Sequence, residues 1–148
     1  MSFFEDRRGQ FIISTDKQRL NLQVISDFLT HRSYWARGRS LETISRSIEN
    51  SLCFGVFEGP QQVGFARVVT DYAVFGWIGD LFILESYRKQ GLSKWLVQCI
   101  IHHPDLVKVR RLILATKDAH ELYRKYGGFE PLPEPERWMT RLQEGARS

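Results

Sequence analysis

The sequence predicts one mixed α/β domain, a central mixed β-sheet flanked by about four helices, and three observations predict it. Residues 52–57 and 63–69 are β-rich runs separated by the turn sequence Glu58-Gly59-Pro60-Gln61-Gln62, and a second connection, 71–76, leads into a third such run at 77–84. Turn residues between β-rich runs make a hairpin, so these three form an antiparallel meander. Leu92, Trp95, Leu96, Cys99 and Ile100 then fall at offsets 0, 3, 4, 7 and 8, the spacing that puts apolar side chains on one face of a helix. The apolar run 111–116 completes a strand–helix–strand unit, whose strands are expected to be parallel with a right-handed crossover.

The remaining elements follow in order. Phe11, Ile12 and Ile13 read as a first strand ending at the turn Ser14-Thr15-Asp16. Asn21 is an N-cap residue for a helix carrying Leu22, Ile25, Phe28 and Leu29 at near-helical spacing. Residues 31–39 break that pattern, with Tyr34, Trp35 and Gly38 among basic side chains. Ser40 caps a second helix with Leu41, Ile44 and Ile48 on one face. Pro104 ends the third helix. Asp118, with Glu121 three residues on, resembles a capping box for a last helix over 119–126, which Gly127 and Gly128 terminate. Short strands are expected at 129–132 and 138–142, on either side of a proline-rich loop. No repeat or linker divides the chain, so 1–148 is read as a single domain.

A chain of 148 residues can bury a core without disulfide or metal staples, and 43% hydrophobic with 26% charged residues excludes a disordered or fibrous protein. Cys53 and Cys99 each lie inside an apolar run, and no Cys/His cluster has metal-ligand spacing. Both read as reduced buried thiols. The first ten residues lack the apolar stretch of a signal peptide and no run is long enough to span a bilayer, so a cytoplasmic protein without a membrane partner is expected. The formal charge of +4 raises the alternative of a nucleic-acid-binding domain. Because basic residues are interleaved with acids rather than set along one face, no nucleic-acid partner is expected.

The stretch 79–96, GDLFILESYRKQGLSKWL, concentrates the chemistry. A strand turns through Arg88, Lys89, Gln90 and Gly91 straight into the amphipathic helix. The first amides of a helix lack intrahelical acceptors and carry partial positive charge, which suits phosphate oxygens. Gly91 lets backbone approach a ligand closely, and Arg88, Lys89 and Lys94 add cations to the same turn.

Two motifs give this chain a resemblance to the GNAT superfamily of N-acetyltransferases. Arg88-Lys89-Gln90-Gly91-Leu92-Ser93 resembles the superfamily's pyrophosphate loop, Q/R-x-x-G-x-G/A, with a small Ser at the last position. Residues 119–129, AHELYRKYGGF, look like its A-x-x-L-Y-x-x-x-G-F with one extra Gly before the Phe. Either motif alone is weak; their separation by a strand, with a hairpin upstream, extends the match over nearly the whole chain.

The resemblance implies acetyl-CoA as cosubstrate, with the pyrophosphate on Arg88, Lys89, Gln90, Gly91, Leu92, Ser93 and Lys94 and the pantetheine arm along Leu81, Phe82 and Ile83. It implies Tyr123 as the acid that protonates the departing thiolate. Asp80 is the candidate base for the acceptor amine, with Asp71 and Glu121 as alternatives, and main-chain amides near Leu81 and Phe82 are candidate oxyanion donors. Tyr34, Trp35 and Asp71 are placed at the acceptor, a small-molecule or peptide amine. The expected reaction is direct transfer in a ternary complex, without metal or covalent intermediate. A non-catalytic acyl-CoA-binding module of the same fold is the alternative, and a strand near Trp138 leaves a homodimer open.

Overall fold

The computed structural model describes residues 3–143 and 145. One sheet frames it, in the order β1 (Glu5–Arg8), β2 (Phe11–Ser14), β3 (Leu52–Glu58), β4 (Gln61–Thr70), β5 (Phe75–Ile83) and β6 (Arg111–Ile113). Neighbours are antiparallel from β1 to β5, whereas β5 and β6 are parallel. The helices are α1 (Leu22–Asp27), α2 (Leu41–Glu49), α3 (Leu92–His102) and α4 (His120–Gly127). This is the mixed sheet flanked by helices that the sequence patterns predict.

The central strands are buried on both faces, so they read as nearly continuous apolar runs. On one face Phe54, Val56, Ala66, Val68 and Ile78 pack against Leu92, Trp95, Leu96, Cys99 and Ile100, the predicted stripe of α3. On the other face Cys53, Phe65 and Phe82 meet Ile25 and Ile44 from α1 and α2, with Phe28 and Leu29 from the turn between them. Asn21 caps α1 by accepting from the Val24 amide, and Ser40 caps α2 through Thr43. After Asp27 the helix widens into a π-helical turn, Phe28–Arg32, which seats the Phe28 ring flat on Phe82 at 4.1 Å. That turn delivers residues 33–39 to one end of the sheet.

The structure departs from the sequence expectations at the chain ends. β1 was not expected, because its residues, EDRR, are polar and exposed at a sheet edge and carry no apolar period. Among the described residues no strand follows β6: 129–132 and 138–142 are irregular, and prolines at 131, 133 and 135 remove amide donors from this segment. β6 stops at Ile113 rather than Thr116. The capping box at Asp118 does not form, because Ala119 is the cap residue of α4 and Glu121 pairs with Arg124 instead. Gly128, at φ 70°, ends α4 in the left-handed conformation glycine tolerates. Among the described residues no helix is long and apolar enough to cross a membrane.

At the end of α3 the buried His103 ring lies against Phe4 and Phe54, and its Nδ1 accepts from the Asp105 amide at 3.0 Å. Burial, opposed by Asp105, pulls the imidazole below its usual range. A depressed pKa stabilises the fold above the unfolded value near 6.5, and that contribution is lost as pH falls through the folded value. Thermal melts of the wild type should therefore lose Tm as pH falls from 7 towards 5, with a shallower slope in His103→Asn. Identical slopes would contradict this.

Candidate active site

β5 ends at Ile83 and leads through the turn Glu85–Tyr87 into the basic loop. A cavity of about 340 Å³ lies there, lined by Ile83, Tyr87, Arg88, Lys89, Gly91, Leu92, Ser93 and Lys94. Arg88 ties the loop to the strand, its Nε donating to the Ile83 carbonyl at 3.0 Å. Gln90 donates to the Tyr87 carbonyl and does not line the cavity. Lys89 and Gly91 both take left-handed backbone, φ 67° and 81°. As cap of α3, Gly91 offers no side-chain acceptor, and the first turn holds no acid. The amides of Leu92, Ser93 and Lys94 are thus left for an anion in the cavity those residues line.

Beside this loop the sheet opens. β6 pairs only with Phe75, Gly76 and Trp77, so residues 78–83 of β5 have a strand partner on the β4 side alone. On that side the register jumps, from Arg67 opposite Gly79 to Phe65 opposite Phe82. The extra residue is accommodated around Asp80, whose φ of 56° is left-handed. This is a β-bulge, which redirects backbone groups that a regular ladder would consume.

The Asp80 side chain is 1% exposed and fully engaged. One carboxylate oxygen accepts from the Trp35 indole at 2.8 Å; the other accepts from Arg67 Nε at 2.6 Å and Arg39 Nη1 at 2.9 Å. Arg67 also donates to Ser51 Oγ and lies over the Trp77 ring. Trp77 in turn covers Gly79, where a Cβ would meet the indole at 2.5 Å, so glycine is required there by close approach. The base role expected for Asp80 is not one these surroundings favour, because three donors already hold its oxygens. Asp71 is not brought to the bulge. Its Oδ1 accepts from the amides of Ala73, Val74 and Phe75, which holds its pKa below the carboxylate range and fixes the turn after β4. It lies four residues beyond Arg67, about 13 Å along an extended strand. Glu121 is exposed and paired with Arg124.

Tyr123 is buried in α4, its ring edge-on to Phe129, and its hydroxyl has no hydrogen-bond partner among the described residues. Burial, and secondarily the Tyr34 hydroxyl, push its pKa up to about 12. Tyr34 reaches the same place from the other side: its hydroxyl accepts from the Lys117 amide at 2.9 Å, and its ring meets Trp35 edge-on. The structure therefore brings Tyr34 near Tyr123 and ties its neighbour Trp35 to Asp80. Tyr126 is engaged with Lys94 and Lys125, and His120 is exposed. Burial pushes the thiols of Cys53 and Cys99 to about 11 and about 12. Among the described residues no cluster of three or more His, Cys, Asp or Glu could hold a metal ion.

Sequence reasoning missed Arg39, Arg67 and Trp77. Arg67 did carry a signal, a lone charge inside the apolar run VGFARVV, which a strand buried on both faces admits only with a partner.

Residues 22–129 match the pattern of the acetyltransferase (GNAT) family. A candidate acetyltransferase of that family from Xanthomonas campestris pv. campestris is 42% identical and superposes with a TM-score of 0.89 over 96% of this chain and 99% of its own. A candidate acetyltransferase from Gibberella zeae is 26% identical over 86% of this chain and 83% of its own length. A predicted acetyltransferase from Clostridium acetobutylicum, solved with acetyl-CoA, shares the fold at 13% identity, with a TM-score of 0.59 over 83% of this chain and 92% of its own.

If Asp80 holds two guanidiniums in a buried cluster, Asp80→Asn should destabilise the fold by about 3–5 kcal/mol in urea unfolding, the range for removing one partner of a buried pair. A loss below about 1 kcal/mol would contradict the structural role.

Proposed function

The chain belongs to the acetyltransferase (GNAT) family, and from that premise we propose that it transfers the acetyl group of acetyl-CoA to a primary amine by direct attack in a ternary complex. The observation that carries this reading is the unpaired edge of β5, which runs from the cationic cavity at one end to the bulge at the other. An extended pantetheine arm can add to such an edge as a strand would, with main-chain hydrogen bonds along Leu81–Ile83 from Leu81 and Ile83, whose backbone groups face away from β4, whereas those of Phe82 point towards it as the Leu84 amide does. Its pyrophosphate then falls to the free amides of α3 and to Arg88, Lys89 and Lys94.

When bound, acetyl-CoA supplies a thioester carbonyl. The amine nitrogen forms a bond to the carbonyl carbon, the oxygen takes up negative charge, and the carbon–sulfur bond then breaks to give amide and thiolate. Main-chain amides freed by the bulge supply preorganised donors to that oxygen. Tyr123 donates its O–H to the departing thiolate as a hydrogen bond: with its pKa near 12 it stays protonated at neutral pH and its hydroxyl is otherwise unengaged, and because a thiol near 8.5 is the stronger acid, any proton it passes on is recovered from water. The proton lost by the amine goes to water, since Asp80 is committed to Arg39, Arg67 and Trp35. The two thiols stay neutral at physiological pH, which disfavours an acetyl-cysteine intermediate. Free, buried cysteines also suit a reducing, cytoplasmic compartment.

Arg88→Glu should weaken acetyl-CoA binding by about tenfold or more in calorimetry, because it replaces an attractive charge at the pyrophosphate with a repulsive one. Unchanged affinity would remove the loop assignment. In a thiol-release assay, Tyr123→Phe should lower kcat by about 100-fold without altering acetyl-CoA affinity, the lower range for a lost acid. A wild-type kcat would exclude that role. For the wild type, kcat/KM should rise from pH 7 to about pH 9 as the amine becomes neutral, with no fall from Tyr123 ionisation.

A further inference from the structure

We propose that the acceptor amine carries an anionic group, a carboxylate or a phosphate, and that Arg39 and Arg67 bind it beside the bulge; this rests on the transfer reading above and names its substrate class. The side chains of Arg39 and Arg67 are only 13% and 10% exposed. Both direct their ion pairing at the single carboxylate of Asp80, so the cluster holds two cations against one anion. The other partners are neutral: Ser51 accepts from Arg67, Trp77 offers its ring face, and Trp35 donates to Asp80. A net positive charge largely, though not wholly, withdrawn from water is costly, and an anion that joins it lowers that cost.

The donor geometry gives the same answer independently. A guanidinium has N–H groups on all three nitrogens. Arg67 uses Nε and Nη1, and Arg39 uses Nη1 alone, which leaves Arg67 Nη2 and Arg39 Nε and Nη2 without a protein acceptor. Among the described residues no fully enclosed side-chain nitrogen or oxygen lacks a partner, so each of these three nitrogens keeps some accessible surface by which a ligand can reach it. Arg39 also borders a cavity of about 310 Å³ between α1 and the turn into α2, which Asp27 and His31 line as well. Planar donors in fixed orientation suit carboxylate or phosphate oxygens. Their anchor, Asp80, is itself the bulge residue, so an anion held there lies one side chain away from the backbone proposed to meet the thioester. A neutral amine would leave those donors and the excess charge unanswered.

The test uses the intact protein loaded with CoA. Calorimetry compares amino acids with their carboxamides, and O-phosphoethanolamine with ethanolamine, while thiol release from acetyl-CoA is followed with the same compounds. At least one anionic amine should bind about tenfold or more tightly than its neutral match, and the pair that discriminates identifies the anion as carboxylate or phosphate. Arg39→Gln leaves Asp80 paired with Arg67 in a charge-balanced cluster; it should fold, keep its acetyl-CoA affinity and lose the discrimination. Anionic and neutral compounds binding alike, neither binding, or discrimination surviving in Arg39→Gln would overturn the proposal. Anion-selective binding without thiol release would keep the anion site and remove acetyl transfer. Release from neutral amines alone would do the reverse.

Discussion

The carboxylate of Asp80 sits where β5 leaves its regular path, on backbone at φ 56°, and it is held by two guanidiniums and an indole. A non-glycine residue in the left-handed region persists only when its surroundings over-determine it. Here the donors come from three separate parts of the chain: Trp35 and Arg39 from the segment between the first two helices, Arg67 from β4. The bulge, the neighbouring strand and the segment between the first two helices are thereby fixed by one ion cluster. Without that cluster nothing offsets the strained backbone of the slip between β4 and β5, and the amides proposed for the oxyanion lose their support.

β5 therefore has two ends with different chemistry. Beyond Ile83 the polypeptide makes an anion cradle from helix amides, a glycine cap and basic side chains. At Asp80 it makes a buried cluster of one carboxylate with two guanidiniums and an indole. The edge between them is unpaired because β6 is only three residues long. Cosubstrate and acceptor would then enter from opposite ends and meet at the bulge. Burial keeps the Tyr123 hydroxyl protonated and in the same way keeps both thiols neutral at physiological pH.

The meander, the α3 stripe and the cationic loop were legible because each is a local pattern: turn residues between β-rich runs, apolar offsets, a glycine before a helix. β1 was not, since a polar edge strand has no apolar period. The expected strands at 129–132 and 138–142 rested on short runs beside prolines, which disfavour a ladder. At the site, Tyr123 and the loop carried recognisable spacing. Arg39 did not, and Arg67 showed only as a lone charge in an apolar run, because the roles of both come from meeting Asp80 across 41 and 13 residues of sequence. Asp80 itself was singled out for its position, but the partners that redefine its role are visible only in three dimensions.

Amide hydrogen exchange with and without acetyl-CoA tests the central claim, that one ligand spans β5 from the loop to the bulge, most directly. The account predicts slowed exchange at Leu81–Ile83 and at Leu92–Lys94 together, on adding acetyl-CoA. Protection confined to either segment, or appearing elsewhere while both stay unchanged, would contradict it.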